Sequence, residues 1–313
     1  MSTSNTKWPI YRGDGERRAA DLPEPPPWRR FDGEPIEREL PPQELSFKFE
    51  IEPREIELVN AALCLRRPLL ITGKPGTGKS TMARAVAHEL ALGAVLMWPI
   101  NTRSTLHEGL YGYDAIGRAQ EGEKLDEIGR YIKLGPLGTA LLPSRRPRVL
   151  LIDEIDKSDI DLPNDLLNVF EEGWFEIPEL SRLAHDTVEV QTHDAGISGK
   201  PDRVAIHRGR VTCRAFPFVV LTSNEERDFP GPFLRRCVRL DIAPPNDSKL
   251  ARIVKAHFGE DQAVAAERLI KDFVERRKKG DLAIDQLLNA VYMTMFHGKA
   301  PKELEDAILR VLK

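Results

Sequence analysis

The sequence predicts an α/β fold, a parallel sheet with flanking helices around an anion-binding loop, followed by a small all-α domain. Three observations carry this. The apolar run Pro68-Leu69-Leu70-Ile71-Thr72 leads into Gly73-Lys74-Pro75-Gly76-Thr77-Gly78-Lys79-Ser80, and Thr81 to Leu90 follows with apolar residues at helical spacing. A second apolar run, Val149-Leu150-Leu151-Ile152, ends in Asp153-Glu154. Beyond Pro244-Pro245 only helical periods remain. With 313 residues, 41% of them hydrophobic and 30% charged, the chain can bury one large core and one smaller one.

The loop reads G-x-x-x-x-G-K-S between a strand and a helix, which is the context of a phosphate-binding P-loop. Gly73, Gly76 and Gly78 let the backbone bend so that successive N–H groups face one anion, and the helix start adds its positive end. Lys79 supplies a mobile positive charge for the β- and γ-phosphates, and Ser80 a hydroxyl for Mg²⁺. Lys74, Pro75, Thr77 and Thr81 belong to the same expected nucleotide contact.

Taken in order, residues 1–44 are rich in Pro, Gly and charge and show no regular period. Yet they hold Trp8, Tyr11, Trp28 and Phe31. Two readings stand side by side: a flexible leader, or an arm that packs on its own domain, a neighbouring subunit or a partner. The nucleotide-binding domain is expected over 45–244. It begins with a short strand at Phe47–Ile51 and a helix from Glu55 to Leu65. After the loop helix, Ala94 to Ile100 reads as a strand, and Asn101-Thr102-Arg103-Ser104 opens a helix. Residues 112–129 are polar and irregular, read as a small insertion or hairpin. Tyr131 to Leu142 reads as a turn feeding a helix.

Val149–Lys157 is a buried parallel strand with two carboxylates at its C-terminal end, where open α/β sheets bind ligands. Asp153 is placed to organise Mg²⁺ and its waters, and Glu154 to polarise a water against the γ-phosphate. Ser158 to Glu172 is a helix with Leu162, Leu166, Leu167 and Phe170 on one face. Residues 173–215 read as one or two hairpins inserted into the α/β layer. Their Lys200, Arg203, His207, Arg208, Arg210 and Arg214 suit a solvated hairpin first and a substrate or nucleic-acid contact second. Phe216 to Asn224 is another buried strand, and Asn224 at its end can hold a water with Glu154. Arg235 and Arg236 precede the strand Val238–Ile242. They read either as a solvated pair or as a phosphate-directed arginine. The helical periods Ser248–Phe258, Gln262–Arg276, Ala283–Met295 and Lys302–Leu312 form a lid-like domain over 245–313.

A net charge of −3 gives no global basic character, so nucleic acid is the lesser expectation for a partner. No apolar run approaches a membrane span, and the first residues lack a signal-peptide core. Cys64, Cys213 and Cys237 are far apart and lack a C-x-x-C pattern, which suits reduced thiols in the cytoplasm.

The loop, the Asp-Glu strand end, the strand-end Asn, the Arg before the last strand and the helical tail, in that order, resemble an AAA+ ATPase. Gly135-Pro136-Leu137 and Phe233-Leu234-Arg235-Arg236 add a resemblance to the MoxR family, over roughly residues 45–313. That resemblance implies a ring, usually of six subunits, with ATP and Mg²⁺ at each interface. It implies that Arg236 is the arginine finger completing a neighbour's site, with Arg235 second, and that Asn224 is sensor 1. It further implies chaperone-like remodelling of a partner protein, often with a von Willebrand factor A domain protein. One departure stands out. Asp285 or Gln286 occupies the place where the family commonly carries the sensor 2 arginine. A nucleotide-dependent assembly switch is the second functional expectation, and a nucleic-acid motor the third.

Overall fold

The computed structural model describes residues 8–19, 21–44, 49–121, 125–195, 201–278, 280, 282–297 and 302–310. The expected strand at 47–51 is not formed over 49–51, and its first two residues lie outside that set. The first helix, α1 (Pro53–Leu65), starts two residues before the expected Glu55, on a capping box between Glu52 and Glu55, with proline in its first turn. β1 (Leu69–Thr72) and α2 (Lys79–Glu89) flank the loop. β2 (Leu96–Pro99) follows, then α3 (Leu106–Leu110). Thr105 is the N-cap of α3, one residue past the predicted opening, and exchanges bonds with Glu108. β3 (Tyr111–Tyr113), α4 (Ala115–Glu121), β4 (Ile132–Leu134) and α5 (Pro136–Ala140) come next.

β5 (Val149–Asp153) and α6 (Leu162–Glu172) bracket a 3-10 turn at Ile155–Lys157. β6 (Trp174–Glu176), α7 (Pro178–Ser181), β7 (Thr187–Ala195), β8 (Pro201–His207) and β9 (Arg210–Thr212) fill the segment read as hairpins. β10 (Phe218–Ser223), α8 (Gly231–Arg236) and β11 (Val238–Asp241) complete the large unit. The tail is α9 (Asp247–Phe258), α10 (Glu260–Ala265), α11 (Glu267–Arg277), α12 (Ile284–His297) and α13 (Lys302–Ile308). The single period predicted over 262–276 is therefore two helices.

The central sheet is five parallel strands in the order β11-β1-β10-β5-β2. The three inner strands, β1, β10 and β5, are almost wholly buried because both faces are covered, whereas the edge strand β11 exposes Arg239 and Asp241. One core cluster joins α1 and α2 to one face, and another packs Leu162, Leu166, Val169 and Phe170 of α6 against the other. In-register pairing puts the C-terminal ends of β1, β5 and β10 along one edge.

The expected hairpin in 173–215 is present as β7–β8, but it does not sit within this layer: the strands β6, β7, β8 and β9 belong to a second sheet, β3-β4-β7-β8-β9-β6, built jointly with β3 and β4. β7 and β8 form its long hairpin, and Lys133 of β4 pairs with Gln191 of β7. Arg148, fully buried just before β5, grips Asp194 of β7 with both terminal nitrogens, at 2.7 and 2.8 Å. One bidentate ion pair thus ties the second sheet to the first.

Of the two readings of the leader, residues 8–19 and 21–44 follow the second, an arm packed on its own domain. Backbone N–H groups of Ile10 and Tyr11 donate to Asn60 Oδ1 of α1, and Asn60 Nδ2 donates back to the Tyr11 carbonyl. Arg12 N–H and Arg18 reach the buried Glu89 of α2. Buried Arg29 donates to the Arg66 and Phe170 carbonyls and stacks on Phe216. Arg38 pairs with Asp194 and Asp202. The physical reason is that Tyr11, Phe31 and the polar side chains find complementary partners, while Trp8 and Trp28 stay exposed.

Candidate functional site

The loop after β1 bends where only glycine fits. Gly73 has φ 141°, and a Cβ there would lie 2.5 Å from the Ile242 carbonyl oxygen. The turn folds the Gly73 and Lys74 carbonyls onto the Lys79 amine, at 2.6 and 2.9 Å. Asn224 Oδ1 takes a third Lys79 bond at 2.8 Å. Burial lowers the Lys79 pKa, while Asp156, Asp153 and Glu154 nearby work to hold its charge.

Ser80 Oγ and Thr222 Oγ1 both donate to Asp153 Oδ1, at 2.7 and 2.6 Å. Thr222 in turn accepts the Glu154 N–H at 2.9 Å. Glu154 stands in the left-handed backbone region (φ 60°, ψ 49°), a strained place for a non-glycine residue. That turn ends the strand abruptly and throws the carboxylate into the cleft. There Glu154 Oε1 faces Asn224 Nδ2 at 3.4 Å, and its Oε2 pairs with Lys157 at 2.7 Å. Asp156 is buried behind them and accepts the backbone N–H groups of Asn224 and Glu226. Its carboxylate therefore fixes the loop that carries Asn224.

These groups line a cavity of about 430 Å³ with Pro75 to Thr81 along one wall. Gly73 and Lys74 are not among its lining residues. The other end is apolar, with Phe49, Ile242, Ile253 and Leu288, and the lid also contributes Pro245, Lys249, His257 and Asp285. Its size, and a lining that combines the phosphate loop and carboxylates with apolar side chains, suit a nucleoside polyphosphate. Ser80 Oγ and Asp153 Oδ1 are hard oxygen donors 2.7 Å apart, the donor chemistry Mg²⁺ prefers. Among the described residues, no group of three His, Cys, Asp or Glu is arranged to hold another metal.

A family model described as the AAA domain, dynein-related subfamily, matches residues 68–232, more than half of the chain. The chain belongs to this AAA family. The expected AAA+ resemblance, the parallel-sheet fold and the ATPase assignment are borne out, and nucleotide binding follows from the family. No curated protein matches the chain. Among solved structures that match is a Cytophaga hutchinsonii protein provisionally described as an ATPase, 13% identical, with a TM-score of 0.36. The match covers 64% of this chain, which spans about half (48%) of that one. So loose a likeness bears on no residue of the site.

Other predicted residues of this AAA domain lie away from the cavity. Arg236 Nε donates to Glu171 Oε1 of α6 at 2.8 Å, at a half-exposed surface, and Arg235 is exposed beside it. Arg208 pairs with Asp186, and Arg210 lies over the Trp174 ring, 4.0 Å from its centre. Two of the hairpin cations are therefore engaged within the chain, and Lys200 lies outside the described residues. The three cysteines are free thiols, and burial pushes those of Cys213 and Cys237 up to about 12. No helix among the described residues is long and apolar enough to cross a membrane.

Sequence reasoning missed Thr222, Asp156 and the apolar end of the cavity. Thr222 carried a usable signal, since a hydroxyl residue two positions before Asn224 on an otherwise apolar strand is out of pattern. Phe49, Ile253 and Leu288 carried none, because they come from segments brought together only by the lid.

Proposed function

We propose that this AAA domain is a MoxR-type ATPase that hydrolyses ATP in an oligomeric ring of six subunits to remodel or activate a partner protein. The observation that carries the hydrolytic part is the convergence of Lys79, Asp153, Glu154 and Asn224 on one cavity through the Thr222 hydroxyl and the Asn224 amide.

Lys79 and the N–H groups of Gly76 to Ser80 hold the phosphates of ATP, with Thr81 beside them. Ser80 and Asp153 would hold Mg²⁺, which when bound neutralises charge on the β- and γ-phosphates. Glu154 orients a water and takes its proton as the water oxygen bonds to the γ-phosphorus and the bridging β–γ P–O bond breaks. Asn224 positions that water from the opposite side. The Lys157 contact on Glu154 must loosen for this, which an ion pair about 40% exposed on each partner permits. Arg236, or Arg235 beside it, would reach a neighbour's γ-phosphate from the outer face of α8, where it lies clear of its own cavity.

The domain scheme proposed for this activity is a strap over 1–44, the nucleotide-binding unit over 45–244 and the lid over 245–313. A von Willebrand factor A domain protein is the partner class proposed, and the free thiols support a reducing, cytoplasmic setting. The second reading is an assembly switch in which turnover only resets the ring. Asp285 on the lid, where a cation would couple lid to phosphate, favours it.

Glu154→Gln should lower the steady-state ATPase rate by about a hundredfold or more while nucleotide binding survives. Colorimetric phosphate release and calorimetric ATP titration check the two halves. Activity that survives the substitution removes Glu154 from its role.

A further inference from the structure

Resting on the ATPase reading, the start of α12 determines how the lid responds to the nucleotide. Gly76 of the phosphate loop has φ 73°, and a Cβ there would lie 2.5 Å from Ala283 Cβ and 3.0 Å from Ile284 N. The first turn of α12 is therefore seated directly on the loop that holds the phosphates.

Two polar side chains stand in that turn. Gln286 is engaged elsewhere: its Oε1 accepts the Ala283 N–H at 3.0 Å, and its Nε2 donates to the Ile308 and Arg310 carbonyls at 3.0 and 3.2 Å. Asp285 lines the cavity, is exposed, and makes no ion pair among the described residues. The lid's cation in the cavity wall, Lys249, is taken up by Glu55 at 3.1 Å. Hence the unbalanced charge that the lid brings to the phosphate loop is negative.

A helix start attracts anions, but a carboxylate in the first turn uses that field itself and opposes a second anion. The triphosphate carries about one more negative charge than the diphosphate. We propose that Asp285 reads the γ-phosphate by repulsion, so that the lid of this chain sits most firmly on the loop with a nucleoside diphosphate. Loss of phosphate, rather than arrival of the triphosphate, then closes the lid. Asp285 acts as a specificity-determining residue, not a catalytic one.

The test is calorimetric titration of ADP and of the non-hydrolysable triphosphate AMP-PNP, both with Mg²⁺, on the full chain. Asp285→Asn should tighten AMP-PNP by about threefold to tenfold more than ADP, the size of a unit-charge interaction near a wet surface. Asp285→Ser should give the same shift, which guards against a local folding effect of one variant. Glu267→Gln, which removes an exposed lid carboxylate outside the cavity, should leave the ratio unchanged. High salt should narrow the wild-type gap. Hydrogen exchange in the first turn of α12 should be slower with ADP than with AMP-PNP, and Asp285→Asn should abolish that difference. Equal shifts for both nucleotides, or none, overturn the inference and leave the ATPase reading standing. Failure of every form to bind either nucleotide overturns both.

Discussion

The leader and the lid both lie outside the central sheet, yet they are fastened in opposite ways. The leader is held by buried polar contacts: Asn60 with Ile10 and Tyr11, Glu89 with Arg12 and Arg18, Asp194 with Arg38. The lid keeps its own apolar core, formed only from residues beyond 245. It meets the large unit through the partly exposed ion pairs of Arg252 with Glu50 and Glu52, and through one mostly buried pair, Lys249 with Glu55. Breaking a buried pair strands a desolvated charge, whereas an exposed pair hands its charges back to water. The difference teaches that the leader has no core of its own and depends on polar sockets in the large unit, whereas the lid brings its own core and rests on the large unit partly through charges that water can reach.

The sharpest way to break that contrast is Asp194→Asn, which leaves Arg148 and Arg38 without their shared carboxylate. We expect a loss of about 3–5 kcal/mol in chemical denaturation. The same group sets an acid limit. Burial would raise the Asp194 pKa, but the hydrogen bonds and charges of Arg148 and Arg38 hold it below the ordinary 3.8. Its contribution is therefore fully present above pH 3.8 and is lost as pH falls below that value through the folded-state pKa. Denaturation of wild type and variant should converge toward that acid limit.

Next in size is Asn60→Ala, which orphans two backbone N–H groups and one carbonyl. A cost of about 2–3 kcal/mol is expected, with faster hydrogen exchange at Ile10 and Tyr11. Smallest is Arg252→Ala on the lid, expected to change stability by less than about 1 kcal/mol. Its effect should show instead in the rate of nucleotide release, followed by stopped-flow fluorescence. A large stability loss there would erase the distinction between frame and lid.

What the sequence made legible follows the reach of local signals. Gly73–Ser80, Asp153-Glu154 and Asn224 were readable because each motif sits on one continuous strand end. The parallel sheet that gathers them was readable from short apolar runs separated by helical periods. The second sheet was not, because Lys133 meets Gln191 across 58 residues of sequence through one bridge with no local mark. The leader misled in one of its two readings because composition measures what a segment lacks, and not whether Asn60 and Glu89 await it. Glu154's left-handed backbone was hidden for a similar reason: its N–H is held by Thr222, which belongs to another strand.

Asp153 has two kinds of neighbour on one oxygen, and this asymmetry matters beyond geometry. Thr222 holds Oδ1 from within the sheet, while Ser80 holds the same atom from the cleft. A cation entering between Ser80 and Asp153 would displace only the cleft-side bond. The interior bond would keep the carboxylate aimed throughout, so the exchange needs no search by the side chain. Asp153 would thus behave like a hinge pin, with one end set in the frame and the other left available to a cation.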